Sequence, residues 1–385
     1  MSRTVLVTGA CGFTGSNMLE YLDEEWPSAD VVATDLPGSG RGEYYVEAPD
    51  SSDPQPVYYE DILDELDIEF IPGDLTNSED VEEIVSTADF DVVFHIASLF
   101  DYFAPREALY RVNTDGTRNL LSALAAQGSP RVIHWSTLGV LGDAGFDQPK
   151  DETSSYHPHN RYCESKVAQE QIVKAYGDRL DVTIVRPAPI YGPRHRYGIY
   201  NVLSGMEDLG FAAYPRLYPR KKQLQFPSVH VDDIVGAAVY LAQREEAVGE
   251  TYNVVSDSIG QDEMLSFLAD ELGIPDVAVP APYFAYVGFA RALYAIGVRY
   301  EKRARENDTR PWVDAPTLRY LTANTWFSNE KLKATGYEMK YLDARDGLRE
   351  YIAWCREHGY LNYPEERSSR VASIKRSLSS RLPTS

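Results

Sequence analysis

Thr4-Val5-Leu6-Val7-Thr8-Gly9-Ala10-Cys11-Gly12-Phe13-Thr14-Gly15 is the stretch on which the fold turns. Its first five residues are β-branched or apolar and read as a short buried strand, and helical spacing of apolar residues resumes from Asn17 to Leu22. Between them Gly9, Gly12 and Gly15 stand three apart. Strand, glycine turn and helix together put unpaired helix N–H groups beside a backbone that a pyrophosphate can approach closely. Composition alone yields about 0.1 such glycine triplets in a chain of this kind, so the position behind a strand carries the signal. Asp35 closes the next apolar strand, Val31 to Asp35, where a carboxylate would accept from ribose hydroxyls and repel a 2′-phosphate. NAD is therefore expected rather than NADP.

Outward from this stretch the rhythm repeats. Strands are expected at Ile68 to Ile71, Val92 to His95, Arg131 to Trp135 and Val182 to Val185, each separated by a helix-length mixture of polar and apolar residues. Nearly continuous apolar strands alternating with helices predict an α/β, doubly wound parallel sheet covered on both faces. Pro37 to Asp61, rich in Gly, Pro, Ser and Asp, reads as a surface insertion. After Pro193 the rhythm breaks, and Gln225 to Val231, a helix from Asp232 to Arg244 and a strand Thr251 to Val255 are expected to return to the sheet. The expected organisation is a dinucleotide-binding domain over 1–192, rejoined around 225–272, a discontinuous substrate lobe over 193–365, and a basic Ser/Arg-rich tail over 366–385.

The charge balance narrows the partners. Among 385 residues, 59 Asp and Glu stand against 37 Lys and Arg, a net charge of -22, which argues against broad nucleic-acid contact. Arg outnumbers Lys, and the first Lys is Lys150, a bias that points to a salt-rich solvent. The tail from Arg367 onward carries five basic residues and no acid, so weak membrane-surface contact is expected there if anywhere. Cys11, Cys163 and Cys355 are far apart and fit neither a disulfide framework nor a metal-ligand spacing, so no metal is expected. Met-Ser-Arg leads straight into a strand without a signal-peptide core, and the expected compartment is the cytoplasm, with peripheral membrane contact as the variant.

Tyr162-Cys163-Glu164-Ser165-Lys166 places a phenol and an ammonium four residues apart, on one helix face. Chance alone gives about 0.7 such pairs in a chain with this much tyrosine, and Tyr218 with Lys222 is a second one. The second contains Pro219 in a segment without helical pattern, whereas Arg161 to Ala175 has good helix formers. A neighbouring cation and an oxidised nicotinamide would lower the phenol's pKa toward neutrality, making Tyr162 a general base.

In this order and spacing the motifs resemble those of the extended short-chain dehydrogenases/reductases, the NAD-dependent epimerase/dehydratase type. The resemblance implies a Rossmann-type sheet with a smaller C-terminal substrate-binding lobe. It implies cofactor contacts at Gly9, Gly12, Phe13, Thr14 and Gly15, at Asp35, at Asp74 and Leu75 in Gly73-Asp74-Leu75, and at Ala97 in His95-Ile96-Ala97-Ser98. Asn113 in the helix behind, Pro187 in Arg186-Pro187-Ala188-Pro189-Ile190-Tyr191-Gly192-Pro193, and Tyr162 and Lys166 themselves complete the implied cofactor set. Trp135-Ser136-Thr137-Leu138 matches the segment whose hydroxyl binds the substrate oxygen, with Thr137 the first choice and Ser136 the alternative. Ser98 and Arg194 are substrate candidates. A homodimer through the helices Ala108 to Leu124 and Arg161 to Ala175 is the family expectation.

The small-molecule substrate divides two readings. Pro280 to Ile296, followed by Pro316-Thr317-Leu318-Arg319-Tyr320-Leu321 and Trp326 to Leu332, is similar to the 3β-hydroxysteroid dehydrogenase and sterol-4-carboxylate dehydrogenase branch. That branch implies an oxidoreductase acting on a secondary alcohol of a sterol- or isoprenoid-like lipid. The alternative is an NDP-sugar 4-epimerase, for which Arg194, Arg196, Arg216 and Arg220 could clamp a diphosphate. Leu138 and Gly139 stand where a dehydratase would carry Asp-Glu, which argues against 4,6-dehydration. A non-catalytic NAD-binding protein is the remaining reading, disfavoured because Tyr162, Lys166 and Thr137 are all present.

Overall fold

The computed structural model describes residues 3–38, 63, 66, 68–307, 309–311 and 315–362. The expected insertion beyond Gly38 and the tail lie outside the described residues. In chain order the first half runs β1 (Thr4–Thr8), α1 (Phe13–Glu25), β2 (Asp30–Asp35), β3 (Glu69–Pro72), α2 (Ser78–Ser86) and β4 (Val92–His95). It continues with α3 (Arg106–Tyr110), α4 (Thr117–Gln127), β5 (Arg131–Trp135), α5 (Arg161–Ala175) and β6 (Asp181–Pro187).

These strands, with β11 further on, make one seven-stranded sheet in the order β11-β6-β5-β4-β1-β2-β3, where β11 is Thr251–Val254. Every pairing in it is parallel, for example Val7 with Ala33 and Val7 with Phe94. Successive residues of a strand point to opposite faces, so a sheet covered twice needs apolar residues at every position. β1 shows this directly: Val5 and Val7 join the core under α1, while Leu6 joins the core on the opposite face with Val81, Ile84 and Leu120.

The expected return of Gln225 to Val231 to the main sheet is not what forms. β7 (Ile190–Tyr191), α6 (Ile199–Leu209), β8 (Ala212–Tyr218), β9 (Gln225–Phe226) and β10 (Val229–His230) precede α7 (Val231–Ala242). β10 pairs with β7 and β9 pairs with β12 (Ile259–Gly260), each as a two-stranded ribbon outside the sheet. Only β11 returns, beside β6, and α7 packs Ile234, Val235 and Ala238 into the core that α1 covers. Tyr218 ends β8, so the second Tyr and Lys pair shares no helix.

The remaining elements are α8 (Gln261–Leu272), β13 (Asp276–Pro282), α9 (Tyr283–Glu306), α10 (Ala315–Arg319), α11 (Glu330–Ala334) and α12 (Ala344–Glu357). β13 pairs in parallel with β8, and α6, α8 and α12 share a separate apolar cluster that includes Leu203, Leu268 and Leu348. No helix among the described residues is long and apolar enough to cross a membrane.

Candidate active site

The first site element is the turn between β1 and α1. Gly9 has φ 70°, and a Cβ there would stand 2.8 Å from Ala97 N and Cα, so the strand end and Ala97 touch through backbone alone. A Cβ on Gly15 would fall 2.0 Å from the Gly9 carbonyl oxygen, which makes glycine the only residue that lets α1 start so close to β1. Gly12 is different: it is exposed, and the nearest protein atom to a Cβ there is the Gly9 oxygen at 3.3 Å. Two glycines are thus demanded by the chain itself, and the third leaves open the approach to the amides of Phe13 and Thr14. Gly12 caps α1 with no side chain, and no acid lies in the first turn, so that end keeps its partial positive charge for an anion.

At the C-terminal end of β2, Asp35 accepts from Cys11 N (2.9 Å) and Leu36 N (2.8 Å), one bond per carboxylate oxygen. Burial pushes its carboxyl above the ordinary value against these two bonds. Each oxygen retains acceptor capacity for a ribose hydroxyl. Asp74 accepts from Thr76 N (2.8 Å), shaping its own turn, and the Leu75 carbonyl accepts from Asn119 of α4 (3.0 Å). His95 bridges the Thr8 and Thr117 hydroxyls at 2.8 Å each, and burial drives it down to about 3, so it joins the sheet to α4 as a neutral ring.

The candidate catalytic residues stand on α5. Asn160 caps it by accepting from Cys163 N (2.8 Å), which sets Tyr162 in the first turn and Lys166 one turn on. Lys166 is 1 % exposed, and its Nζ donates to the Trp135 carbonyl (2.6 Å) and to Ser98 Oγ (3.3 Å). Burial brings its pKa down to about 7, against the favourable field of Glu170. Between α3 and α4 the helix widens into a π turn at Arg111–Gly116, and Asn113 within it is fully buried. Asn113 accepts from Leu99 N (2.7 Å) and Ser98 Oγ (3.1 Å) and donates to Ser165 Oγ (3.0 Å), tying the 98–99 loop to α5. Ser98, expected at the substrate, therefore lies between Lys166 and Asn113.

Tyr162 is 9 % exposed and meets the edges of Phe100 (5.0 Å between ring centres) and Tyr102 (6.0 Å). Phe100 also meets Tyr197 (5.6 Å), and the Tyr102 hydroxyl bonds that of Tyr320 (3.2 Å). Burial behind this aromatic wall, with Cys163 and Tyr320, raises the Tyr162 pKa well above 10, opposite in sign to the lowering expected from a cation and an oxidised nicotinamide. Lys166 donates to the strand end and the 98 loop, and any lowering of the phenol awaits the charge that a bound cofactor brings.

Ser136 and Thr137 separate cleanly. Ser136 Oγ donates to Glu170 Oε1 (2.5 Å) inside the core, while Thr137 is half-buried and its Oγ accepts from Gly139 N (3.2 Å). The geometry leaves Thr137 for a substrate oxygen and engages Ser136 in the frame. Thr137→Ala is expected to lower kcat/KM by about a hundredfold with an unchanged melting temperature. Ser136→Ala should instead cost about 1–3 kcal/mol of stability by stripping a donor from a buried carboxylate. Steady-state kinetics and thermal melts on both variants test this, and the opposite pattern would exchange the two roles.

Pro187 ends β6 and is buried beside β11. Arg194, a substrate candidate, has its guanidinium in a two-pronged ion pair with Glu20 of α1 (2.8 and 2.5 Å). The other three clamp candidates are also engaged, Arg216 and Arg220 with Asp262, Arg220 further with Glu263, and Arg196 over the rings of Tyr200 and Tyr360. No shared diphosphate clamp forms from them. What sequence reasoning missed is the Glu170 and Arg186 pair beneath the site, although Glu170 follows Tyr162 and Lys166 at the same four-residue step and Arg186 interrupts an apolar strand.

The titration of Lys166 gives a stability signature. Its folded pKa lies below the unfolded one, so the folded state binds fewer protons from about pH 7 up to the ordinary lysine value, and the protein gains stability as pH rises through that window. Lys166→Met lacks this gain. Melting temperatures from pH 6 to pH 10 should rise for the parent relative to the variant; parallel curves would refute a neutralised Lys166.

A model of the NAD dependent epimerase/dehydratase family matches residues 5–255. Short-chain dehydrogenase/reductase family 42E member 1 of Macaca fascicularis is 26% identical, over 93% of this chain and 88% of that protein. The decarboxylating sterol-4-alpha-carboxylate 3-dehydrogenase of Candida albicans is 27% identical over 66% of this chain and 71% of that protein. The N-acetyl-alpha-D-glucosaminyl-diphospho-ditrans,octacis-undecaprenol 4-epimerase of Escherichia coli O157:H7 is 24% identical over 89% and 92%. Among solved structures, that of gox2253 superposes with a TM-score of 0.68 at 26% identity, covering 94% of this chain and all of that one. The amide-lined end of α1, the free approach at Gly12 and the carboxylate of Asp35 fit the dinucleotide that this family uses. The chain belongs to the NAD dependent epimerase/dehydratase family and is an NAD-dependent enzyme of the extended short-chain dehydrogenase/reductase type.

Proposed function

We propose that this enzyme oxidises a secondary alcohol on an apolar, sterol- or isoprenoid-like substrate, or runs the same reaction in reverse. The observation that carries this is the wall beside Tyr162: Phe100 and Tyr102 meet its ring edge-on, and behind them Tyr197 packs on Phe100 and the Tyr320 hydroxyl bonds that of Tyr102. Aromatic walls contribute contact area to an apolar ligand, whereas a nucleotide diphosphate needs convergent cations. The four arginines suited to that task are held by Glu20, Asp262, Glu263 and two tyrosine rings.

NAD supplies the hydride acceptor. As the phenolate, Tyr162 would take the hydroxyl proton while the carbinol carbon gives its hydride to that acceptor and becomes a ketone carbon, and Thr137 Oγ would donate to the same substrate oxygen. Lys166, fixed by the Trp135 carbonyl and Ser98, sits one helical turn from Tyr162 and supplies a positive charge to the phenolate. The dehydrogenase and the lipid-linked sugar epimerase among the relatives mark the two chemistries to be separated. Growth of reduced-nicotinamide absorbance on mixing the protein and NAD with 3β-hydroxysterols or isoprenoid alcohols is the expected result. Interconversion of a UDP-hexose without any alcohol-dependent NADH would overturn it.

A further inference from the structure

Residues Gly192 to Gly198 join β7 to α6 and meet the cofactor helix at Phe13 and Glu20. Both ends are glycines with positive φ, 148° at Gly192 and 60° at Gly198, and a Cβ at Gly192 would meet Val231 Cγ1 at 2.6 Å. Within the segment Arg194 has φ 71°, and it is the one non-glycine residue with positive φ among those described. Side chains rarely accept that conformation unless other contacts compel it. Here the contacts are plain. Arg194 makes its two-pronged pair with Glu20, the His195 ring stacks on Phe13 at 4.4 Å and 23°, and the Tyr351 hydroxyl donates to the His195 carbonyl.

Phe13 is the first residue of α1 and adjoins Gly12, so the segment is fastened to the very turn where the pyrophosphate is received. Its last side chain before the second glycine, Tyr197, leans on Phe100, which in turn meets Tyr162. One short strap thus touches the cofactor end of α1 on one side and the wall of the catalytic tyrosine on the other.

We propose that the Arg194 and Glu20 pair acts as a positioning pair that sets how long NAD stays bound. The pair lies away from the glycine turn, on Glu20 of α1; it keeps the strap down on Phe13, so that the first residue of α1, beside Gly12, is held in the position that receives the pyrophosphate. The inference rests on NAD dependence and not on the choice of substrate. An alcohol dehydrogenase must exchange its dinucleotide at every turnover, so the pair would slow a step that a cofactor-retaining epimerase never takes.

Glu20→Ala removes the pair from the half-exposed side of α1, and Arg194→Gly removes it while suiting the positive φ, so neither change asks the fold to strain. The measurement is stopped-flow fluorescence of NADH release from the full-length protein, chased with excess NAD. Both variants are expected to release NADH roughly three- to tenfold faster with an unchanged association rate. The double reversal Glu20→Arg with Arg194→Glu should bring the release rate back to within about twofold of the parent. Release rates that match the parent in both single variants would overturn the proposal, and so would a double reversal as fast as either single change. If the parent binds no NADH, the cofactor assignment beneath the inference falls with it, an outcome distinct from bound NADH with an unaltered release rate.

Discussion

Tyr162→Phe is expected to lower kcat by about a thousandfold or more while leaving the NAD dissociation constant within about twofold of the parent. The substitution deletes one oxygen and keeps the ring that packs against Phe100 and Tyr102. Lys166 makes its hydrogen bonds to the Trp135 carbonyl and Ser98 Oγ, and Asn113 holds Ser98 and Ser165, so the cofactor-facing frame does not depend on the phenol oxygen. The loss should therefore fall on kcat and on kcat/KM in equal measure, as for a group engaged at the transition state.

The same variant should change the pH profile. Burial raises the phenol in the free protein, so the parent's rate of alcohol oxidation is expected to increase with pH as the phenolate becomes available. Lys166 opposes this from about pH 7 upward, because its charge, which favours the phenolate, is lost there. The residual rate of Tyr162→Phe should show no rising limb. A variant that keeps a tenth of the parent's kcat, or the parent's pH profile, would remove Tyr162 as the base.

How far these assignments were legible in the sequence depends on how local their causes are. The β1 to α1 turn is readable because its glycines are required by atoms within the turn and at one neighbouring strand end: Gly15 by the Gly9 oxygen, Gly9 by Ala97. Tyr162 and Lys166 are readable because a four-residue step on a helix is a local geometric fact. Arg194 was not readable in the same way, since its partner Glu20 lies 174 positions earlier and spacing cannot say which acid will neutralise a given arginine. The phenol's environment has the same character, for Tyr102 and Tyr320 meet across 218 positions to enclose it. The short run Gln225 to Val231 was apolar enough for a sheet strand, yet which edge a two-residue strand joins is decided by β7 and β12, not by its own composition.

Glu170→Ala is expected to destabilise the protein by about 3–5 kcal/mol, the cost of leaving a buried cation without its partner. Glu170 is fully buried and Arg186 is 1 % exposed, and the two meet through Nε (2.8 Å) and Nη2 (2.7 Å). Ser136 and the Tyr156 hydroxyl (2.6 Å) fill the remaining acceptor positions, so every lone pair has a donor. Burial pushes the Glu170 carboxyl up, but Arg186 with Ser136 and Tyr156 outweigh it and hold the group below its ordinary value. Its stabilisation is thus present above the unfolded carboxylate pKa and is lost only as pH falls through the depressed folded value. Urea titrations at pH 7 should show the full deficit. Replacing both partners, Glu170→Ala with Arg186→Met, should recover part of it, because the charge that the single change strands is gone. The site feels the same change: Ser136 adjoins Thr137 on one side and the Trp135 carbonyl that holds Lys166 on the other, and loss of the Glu170 field lowers Lys166 further below about 7. A single variant as stable as the parent, or a double variant less stable than the single, would show that the pair does not hold the end of β5 in place.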